Sequence, residues 1–169
     1  MNVFISGVSS GLGAAMADLY LEQHSVFGLS RRAIQNPNIK HVCCDLAELN
    51  SISKYLDVLF NNIDHLDLVI LNAGQLGPIE TLKNQSIDSM QKLMDVNLWS
   101  NKVLCDFLLE RFPQLSQVVL ISSGASINGY AGWGGYSLSK AALNMLAKIY
   151  ASENPTTHFC SLAPGLIDT

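Results

Sequence analysis

Tyr136 and Lys140 are the two residues of this chain whose types and spacing best suit acid–base chemistry. They stand four positions apart in an Ala- and Leu-rich segment that predicts a helix, so both side chains lie on one helix face. An ammonium group beside a phenol favours the ionised phenol, which makes Tyr136 a usable proton donor and acceptor near neutral pH. Taken alone, the pair could equally be an ordinary amphipathic pair on a helix surface.

Two hydroxyl groups precede this helix in the sequence. Residues 118–121 are continuously apolar and predict a buried strand, and Ser122 and Ser123 follow it directly. A glycine-rich turn then leads to Tyr136. The segment therefore places two hydroxyls, a phenol and an amine where a carbonyl group could be reduced.

A second group of residues, near the N-terminus, suits the binding of a dinucleotide. Gly7, Gly11 and Gly13 stand between a strand pattern and a helical pattern, where glycines let the backbone approach a pyrophosphate and the helix N-terminus supplies amide donors. Three glycines in seven residues favour this interpretation over a plain strand–helix turn. The spacing differs from Gly-x-Gly-x-x-Gly, and the turn lacks the Gly-Lys-Ser/Thr ending of a P-loop.

The residues after the second strand pattern indicate which dinucleotide is bound. An acidic side chain there would bind the ribose 2′-hydroxyl of NAD. This chain has Ser30, Arg31 and Arg32 instead, so no carboxylate repels a 2′-phosphate and two guanidinium groups can bind one. NADP(H) is therefore predicted in preference to NAD(H), although an exposed arginine pair would look the same in sequence.

Three further polar positions have both a functional and a structural interpretation. Asp45 could accept a hydrogen bond from an adenine amino group, or cap the next helix with Glu48 as its capping-box partner. The Asn-Ala-Gly segment at residues 72–74 follows a strand and could be a simple turn. Asn97 lies in an apolar part of a predicted helix, where its amide must pair with the backbone or hold a water near the site.

The elements that must position these residues alternate along the chain. Apolar segments predict strands at residues 2–6, 26–30, 39–44, 67–71, 118–121 and 157–162. Helical spacing predicts helices at residues 12–24, 49–63, 86–111 and 135–152. Alternation of this kind predicts one α/β domain over residues 1–169, a doubly wound parallel sheet of order 3-2-1-4-5-6 with helices on both faces. Its strands would all end at one crevice, where each residue named above would lie.

Composition and charge exclude several other functions. The chain of 169 residues carries a net charge of −4 and no basic run, which argues against nucleic acid as a partner. The four cysteines and four histidines show no disulfide or metal-ligand spacing, so no metal is predicted and the cysteines read as reduced thiols of a cytoplasmic protein. We find neither a targeting signal nor an apolar run long enough to span a membrane.

The ordered set of motifs resembles that of the short-chain dehydrogenases/reductases, which have a Rossmann-type fold. The motifs in this chain are Ser6-Gly7-x-x-x-Gly11-x-Gly13, Asn72-Ala73-Gly74, Asn97, Ser123, Tyr136-x-x-x-Lys140 and Pro164-Gly165-x-x-x-Thr169. Ser123 precedes Tyr136 by 13 positions, as the family's catalytic serine does, and Ser122 would be one position too far. Within the family, residues 72–79, Gly132-Trp133 and residues 163–169 look most like the sepiapterin and benzil reductase branch.

The resemblance implies a role for each catalytic residue. Tyr136 would donate a proton to a substrate carbonyl oxygen that Ser123 hydrogen-bonds. Lys140 would hold the nicotinamide ribose and favour ionised Tyr136, and Asn97 would anchor a water in the proton relay. Trp133 and residues 127–133 suggest a lipophilic or aromatic carbonyl substrate, although a tryptophan near a turn is as often a packing residue.

The resemblance also implies the cofactor contacts. The pyrophosphate would lie on the glycine turn, formed by Gly7, Val8, Ser9, Ser10, Gly11, Leu12 and Gly13. Arg31 would bind the 2′-phosphate with the help of Ser30 and Arg32. Adenine would lie against Asp45 and Leu46, and the adenosine ribose against Asn72, Ala73 and Gly74. The carboxamide and phosphates would meet the last motif, represented by Pro164, Gly165, Ile167 and Thr169.

The chain departs from the family in one respect, and two other functions fit the same fold. The chain stops at the threonine of its last motif, where family members usually continue into a substrate lid and a last strand, so we expect a truncated chain with weak or no activity. An NADP-binding regulatory or scaffold protein on the same fold is one rival, and a nucleotide-sugar epimerase or dehydratase is the other. The epimerases usually have Gly-x-x-Gly-x-x-Gly, which this chain lacks. A homodimer or homotetramer through the helices at 86–111 and 135–152 is expected by analogy.

Overall fold

The computed structural model describes residues 1–167, which form one six-stranded parallel sheet covered by helices. The strands are β1 (Asn2–Ser6), β2 (Ser25–Ser30), β3 (Lys40–Cys43), β4 (Leu68–Leu71), β5 (Gln117–Ile121) and β6 (His158–Leu162). Their order is β3-β2-β1-β4-β5-β6, so the predicted doubly wound α/β topology is confirmed.

Five α-helices lie between the strands. They are α1 (Gly11–Leu21), α2 (Ile52–Leu59), α3 (Ile87–Met94), α4 (Ser100–Arg111) and α5 (Gly134–Glu153). In the described part of the chain, no helix combines the length and the apolar character that crossing a membrane requires.

The strands are apolar on both faces because each face is covered by helices. In β1, Phe4 belongs to one core cluster while Val3 and Ile5 belong to the other, as the alternation of side chains along a strand requires. Phe60 lies at the centre of the first cluster, with its ring 5.4 Å from that of Phe4 and 5.3 Å from that of Phe112. Burial on both sides explains why these strands read as continuous apolar runs in the sequence.

The strand register brings the carboxyl ends of neighbouring strands to one edge of the sheet. Ser6 of β1 pairs with Leu29 of β2 and with Leu71 of β4, and Leu71 in turn pairs with Leu120 of β5. The segments that follow these strands therefore leave the sheet side by side. In open α/β sheets this edge is where ligands bind.

The predicted helix at 12–24 is too long. Helix α1 ends at Leu21, and the amide of His24 still bonds to the carbonyl of Tyr20 before β2 begins. Leu19 is 64% exposed, so its side chain does not pack on the sheet. The buried positions are Gly13 and Ala17, because small residues let the helix approach the sheet closely.

The predicted helices at 49–63 and 86–111 are also more irregular than the pattern indicated. The first begins as a 3₁₀ turn, Leu49–Ser51, and α2 ends at Leu59. The second is continuous in space, but a π-helical turn at Asp95–Trp99 separates α3 from α4. Such turns insert one residue into an α-helix and are frequent at functional sites.

Candidate active site

The glycine turn after β1 is packed against its own backbone and against Asn72. Gly7 has φ of +82°, a region that glycine adopts without strain. A Cβ on Gly13 would lie 2.2 Å from the carbonyl oxygen of Gly7 and 2.5 Å from Nδ2 of Asn72. The first turn of α1 can therefore approach the end of β1 only because residue 13 has no side chain.

The Asn72-Ala73-Gly74 segment is tied to this turn by hydrogen bonds. Nδ2 of Asn72 donates to the carbonyl of Ser6 at 3.1 Å and to that of Gly7 at 3.4 Å. The fully buried hydroxyl of Ser6 accepts from the amides of Asn72 and Ala73, both at 3.1 Å. The segment is thus more than a simple turn, since it holds the ends of β1 and β4 together.

A pocket of about 280 Å³ lies along this edge of the sheet. Its lining includes eleven predicted cofactor residues, Gly7, Ser9, Ser10, Ser30, Arg31, Arg32, Asp45, Leu46, Asn72, Ala73 and Gly74. Three further lining residues, Cys44, Gln75 and Val96, were not predicted from the sequence. Each is the immediate neighbour of a predicted residue, so adjacency to a strand end or to Asn97 was the available signal.

The other predicted residues of the glycine turn, Val8, Gly11, Leu12 and Gly13, do not line the pocket. Val8 is 3% exposed and packs in the second core cluster, and Leu12 packs against the same cluster. Gly11 has φ of +56° at the start of α1.

Ser10 is the N-cap residue of α1 and makes no side-chain cap hydrogen bond. The first amides of that helix consequently lack a side-chain partner from Ser10 and are available to an anion.

The three residues that were expected to bind a 2′-phosphate differ in their surroundings. Arg31 and Arg32 are exposed, and Nη2 of Arg32 donates to the hydroxyl of Ser10 at 3.0 Å. Ser30 is 5% exposed, and its hydroxyl donates to the carbonyl of Arg32 at 2.8 Å. The same oxygen lies 2.8 Å from Nε2 of His41, so the imidazole must donate this hydrogen bond. Burial lowers the pKa of His41.

Asp45 caps a turn and no helix. Its Oδ1 accepts from the amide of Ala47 at 3.0 Å, and the capping box predicted with Glu48 does not form, because Glu48 is followed by a 3₁₀ turn and makes no side-chain cap. The carboxylate is exposed in the pocket lining, where it can still accept a hydrogen bond. Burial raises the pKa of the neighbouring Cys44 thiol to about 11, and the negative charge of Asp45 adds to this rise. The thiol therefore stays protonated.

Asn97 pairs with the backbone, which was one of its two predicted interpretations. Its Oδ1 accepts from the amide of Gln75 at 2.8 Å, and its Nδ2 donates to the carbonyl of Gln75 at 2.8 Å. Nδ2 also donates to the hydroxyl of Ser139 at 2.9 Å, and that hydroxyl donates to the carbonyl of Tyr136 at 2.8 Å. Asn97 therefore links the segment after β4 to the helix of Tyr136. The water that it was expected to anchor stays a prediction.

The π-helical turn is what gives Asn97 this position. The side chain of Asn101 donates to the main-chain carbonyl of Asn97 at 2.8 Å, which satisfies a carbonyl within the π turn. Asn101 and Ser139 are 1% and 0% exposed and were not singled out from the sequence. The available signal was the same as for Asn97, namely polar residues in apolar stretches of predicted helices.

Lys140 is a buried cation that has one hydrogen-bond acceptor among residues 1–167. Its side chain is 3% exposed, and Nζ donates to the carbonyl of Ile121 at 2.7 Å. Nζ lies 5.8 Å from the centre of the Tyr136 ring, and a Cβ on Gly74 would come within 3.3 Å of it. Burial lowers the pKa of Lys140 from 10.5 to about 8. Since an ammonium group has three donors, two remain for a ligand at this edge of the sheet.

The two serines after β5 have different surroundings. Ser123 accepts from the amide of Ala125 at 3.1 Å and so caps the 3₁₀ turn Gly124–Ser126, which leaves its own proton free to donate. Ser122 is 5% exposed, and its hydroxyl has no hydrogen-bond partner among the described residues. Its amide donates to the carbonyl of Leu162 at 2.7 Å. The structure thus keeps the Ser123 hydroxyl available, whereas the buried Ser122 follows β5 and bonds through its amide to the end of β6.

Trp133 and Tyr136 belong to a row of aromatic rings. The ring of Trp133 lies 5.6 Å from that of Tyr130 and 5.9 Å from that of Tyr136, both in edge-to-face geometry. Trp133 and Tyr136 are half-buried, and Tyr130 is half-exposed. An aromatic surface therefore adjoins the phenol that was predicted to act in acid–base chemistry.

The last predicted motif is not brought into the pocket in the part of the chain that the structure describes. Pro164, Gly165 and Ile167 are exposed, and a Cβ on Gly165 would meet no atom within 4 Å. Thr169 lies outside the described residues. Among residues 1–167, no three His, Cys, Asp or Glu side chains are grouped as a metal site would require.

The arrangement of these residues agrees with a comparison with known protein families. A family model described as short chain dehydrogenase matches residues 1–169. The chain belongs to the short-chain dehydrogenase family. This membership confirms the resemblance that was drawn from the motifs.

Three known proteins illustrate where this short-chain dehydrogenase stands among its relatives. It is 32% identical to the benzil reductase ((S)-benzoin forming) of Bacillus subtilis, over 98% of this chain and 74% of that protein. It is 30% identical to the sepiapterin reductase of Rattus norvegicus, over 98% of this chain and 73% of that protein. The crystal structure of the KRED1-Pglu enzyme matches it with a TM-score of 0.91 and 29% identity, over 100% of this chain and 76% of the other. The predicted similarity to sepiapterin and benzil reductases is confirmed.

Burial of Lys140 predicts a specific pH dependence of stability. Between pH 8 and 10.5 the unfolded chain retains a proton that the folded chain has released, so the free energy of unfolding rises with pH in this window. In Lys140→Met this contribution disappears. The rise in the free energy of unfolding across the window should therefore be smaller than in the wild type by up to about 3 kcal/mol. Urea unfolding at both ends of the window, without cofactor, measures it. Lys148→Met, which removes an exposed lysine from the same helix, should behave like the wild type. Identical pH dependence of Lys140→Met and the wild type would contradict the prediction.

Proposed function

We propose that this protein is an NADPH-dependent oxidoreductase that reduces the ketone or dicarbonyl group of a small lipophilic or aromatic substrate. The observation that carries the proposal is the buried amine of Lys140, held by the Ile121 carbonyl between Gly74 and the ring of Tyr136. A buried cation with two free donors is costly, so it is best explained by a ligand at this edge of the sheet.

The dinucleotide fits the residues that are present. Gly7, Ser9 and Ser10 of the glycine turn line the pocket, and the N-terminus of α1 offers amides that Ser10 does not cap. Ser9, Ser10 and Gly7 would hold the pyrophosphate, Asp45 and Leu46 the adenine, and residues 72–74 the adenosine ribose. When bound, the nicotinamide supplies a hydride to a carbonyl carbon.

The chain's own residues would supply the proton and the polar contacts. Tyr136 would donate its hydroxyl proton to the substrate oxygen, and Ser123 would donate a hydrogen bond to the same oxygen with the proton that its cap leaves free. Lys140 would bind ribose hydroxyls and stabilise negative charge on Tyr136 while it is protonated. Asn97 would hold the Gly74 side of the site against helix α5.

The preference for NADPH is supported by the exposed guanidinium groups of Arg31 and Arg32 at the pocket edge. The hydroxyl of Ser30 is already occupied by Arg32 and His41, so it would act by holding the backbone of Arg32 in place. The residues after β2 include no carboxylate that would repel a 2′-phosphate.

An aromatic or lipophilic substrate is supported by the row of rings at Tyr130, Trp133 and Tyr136. The relatives named benzil reductase and sepiapterin reductase carry names of aromatic or heteroaromatic substrates, which agrees with this surface. The four cysteines are free thiols, which supports a reducing, cytoplasmic location.

A homodimer or homotetramer through helices α4 and α5 is supported by apolar residues that remain exposed on them. Leu138, Met145 and Ile149 are 51%, 55% and 46% exposed, and their spacing places them on one face of α5. Trp99, the last residue of the π-helical turn before α4, is 45% exposed. A face of this kind is typical of a subunit interface.

Replacing Tyr136 with Phe tests the proposed reaction. In the full-length protein, we expect the reduction of aromatic dicarbonyls, pterins or quinones with NADPH to fall by about 10²- to 10⁴-fold, because the proton donor is lost. The affinity for NADPH, measured by fluorescence titration, should be almost unchanged. Tyr55→Phe, which alters an exposed tyrosine on α2, serves as the control. Undiminished activity of Tyr136→Phe would contradict the role of Tyr136 as proton donor. A wild type that binds NADPH but reduces no carbonyl compound would favour the non-catalytic rival.

Replacing Arg31 with Ala tests the cofactor preference. Loss of a charged hydrogen bond to the 2′-phosphate should raise the Kd for NADPH by about 10- to 100-fold. The Kd for NADH should not change, since NADH has no 2′-phosphate. Lys54→Ala makes the same change of net charge on α2 and should leave both constants as they are. An equal loss of affinity for the two dinucleotides would contradict the proposal.

Replacing Met145 with Asp tests the proposed assembly. A carboxylate in the centre of the exposed apolar face of α5 should dissociate the oligomer, because a charge cannot be buried there without a partner. Sedimentation velocity should show the wild type as a dimer or tetramer and Met145→Asp as a monomer. Leu19→Asp places the same charge on an exposed apolar site of α1 and should leave the assembly intact. A monomeric wild type would refute the proposal.

A further inference from the structure

Helix α5 begins without a cap of its own. Its N-cap residue, Trp133, makes no side-chain cap hydrogen bond, and the first amides of a helix have no acceptor within the helix. Tyr136 is the third residue of α5, so the direction of its side chain depends on this first turn. Whatever orders the turn therefore also orders the phenol.

The first turn is also weak by composition. It opens with Gly134 and Gly135, and glycine is among the poorest helix formers. Side chains from residues 82–85 lie close to both glycines. A Cβ on Gly134 would lie 2.7 Å from Cδ1 of Leu82, and a Cβ on Gly135 would lie 3.1 Å from Oε1 of Gln85. Residues 82–85 thus lie close to α5 at the point where the helix is weakest by composition.

Gln85 supplies the missing cap from a distant part of the chain. Its Oε1 accepts from the amide of Gly135 at 2.8 Å, and the residue is 8% exposed. Its Nε2 donates to the carbonyl of Glu80 at 3.2 Å and to those of Pro78 and Gly132 at 3.4 Å each. Both ends of the amide are therefore satisfied inside the protein.

A backbone contact strengthens the same connection. The amide of Glu80 donates to the carbonyl of Gly132 at 3.1 Å, and Glu80 pairs with Trp133 as an isolated parallel bridge. These contacts join the loop at residues 78–85 to the turn before α5, and Gln85 is buried between the two segments. The ring of Trp133 lies next to them and contacts the ring of Tyr136.

We propose that Gln85 is a positioning residue for Tyr136. From a distant part of the chain, Gln85 caps the first turn of α5 and so fixes the direction of the phenol. This inference rests on the proposed reductase function for its catalytic consequence, but its structural part does not. Gln85 itself belongs to neither the pocket lining nor the set of residues that would touch substrate or cofactor.

The test compares Gln85→Met with Gln91→Met in the full-length protein. Methionine has nearly the volume of glutamine but cannot accept from Gly135, and Gln91 is an exposed glutamine on α3. We expect Gln85→Met to lower kcat by about 10- to 100-fold, the effect of a small displacement of a reacting group. The Kd for NADPH should stay at the wild-type value, and Gln91→Met should match the wild type in both.

Two readouts do not depend on activity. Hydrogen–deuterium exchange at the amide of Gly135 should be faster in Gln85→Met than in the wild type, because its acceptor is gone. In a Trp99→Phe background Trp133 is the single tryptophan, and its emission should change in Gln85→Met and not in Gln91→Met. These readouts report the first turn of α5 directly.

Several outcomes would overturn the inference. Faster exchange with an unchanged kcat would make Gln85 a stabilising residue only, and a parallel rise in the Kd for NADPH would indicate a general loss of structure. If Gln85→Met unfolds in the assay range, Gln85→Glu replaces it, because it keeps an oxygen that can accept from Gly135. Its kcat should then exceed that of Gln85→Ala, and equal losses would overturn the inference.

A failure of the proposed function would look different. If the wild type reduces no carbonyl compound, the reductase proposal fails. The exchange of Gly135 and the emission of Trp133 still test whether Gln85 caps α5. Unchanged exchange and emission in Gln85→Met would overturn the inference in that case as well.

Discussion

The burial of the Lys140 ammonium group is the interaction on which the rest of this site depends. A cation that is 3% exposed loses most of its hydration, and the single carbonyl of Ile121 replaces only part of it. The consequence is visible as a pKa lowered to about 8. An amine with this pKa is still mostly protonated at neutral pH, and any anion or hydroxyl placed beside it will favour its charged form. The fold accepts this cost at the edge of the sheet where the strand ends meet.

The amine can occupy that place because the elements around it are held by polar side chains buried between helices. Asn97 bonds to both backbone groups of Gln75, and through Ser139 it reaches the carbonyl of Tyr136. A π-helical turn presents Asn97, and Asn101 satisfies the carbonyl within that turn. Asn97 and Ser139 are satisfied by one another and by the backbone, so loss of either would leave a buried polar group unpaired.

Close approach of backbone segments is the second condition. At Gly13, helix α1 lies against the end of β1, and at Gly135 the start of α5 lies against Gln85. Both contacts lie at the N-terminus of a helix, where amides need acceptors and where a catalytic or phosphate-binding group is presented. Glycine permits the approach and weakens the helix at the same point, so partners from distant parts of the chain, Asn72 in one case and Gln85 in the other, complete the structure.

Much of this could be predicted from the sequence, because continuous apolar runs, helical spacing and short glycine motifs are local signals. They were sufficient for the sheet order, the family, and eleven residues of the pocket lining. The sequence could not decide which of two interpretations held for Asn97, where α1 turns its buried face, or that Asp45 caps a turn and no helix. It also contained no local signal that Ser6 and Gln85 bond to Ala73 and Gly135, which lie 67 and 50 residues away. Hydrogen bonds between distant segments form only when the chain is folded, so the tertiary structure alone assigned them.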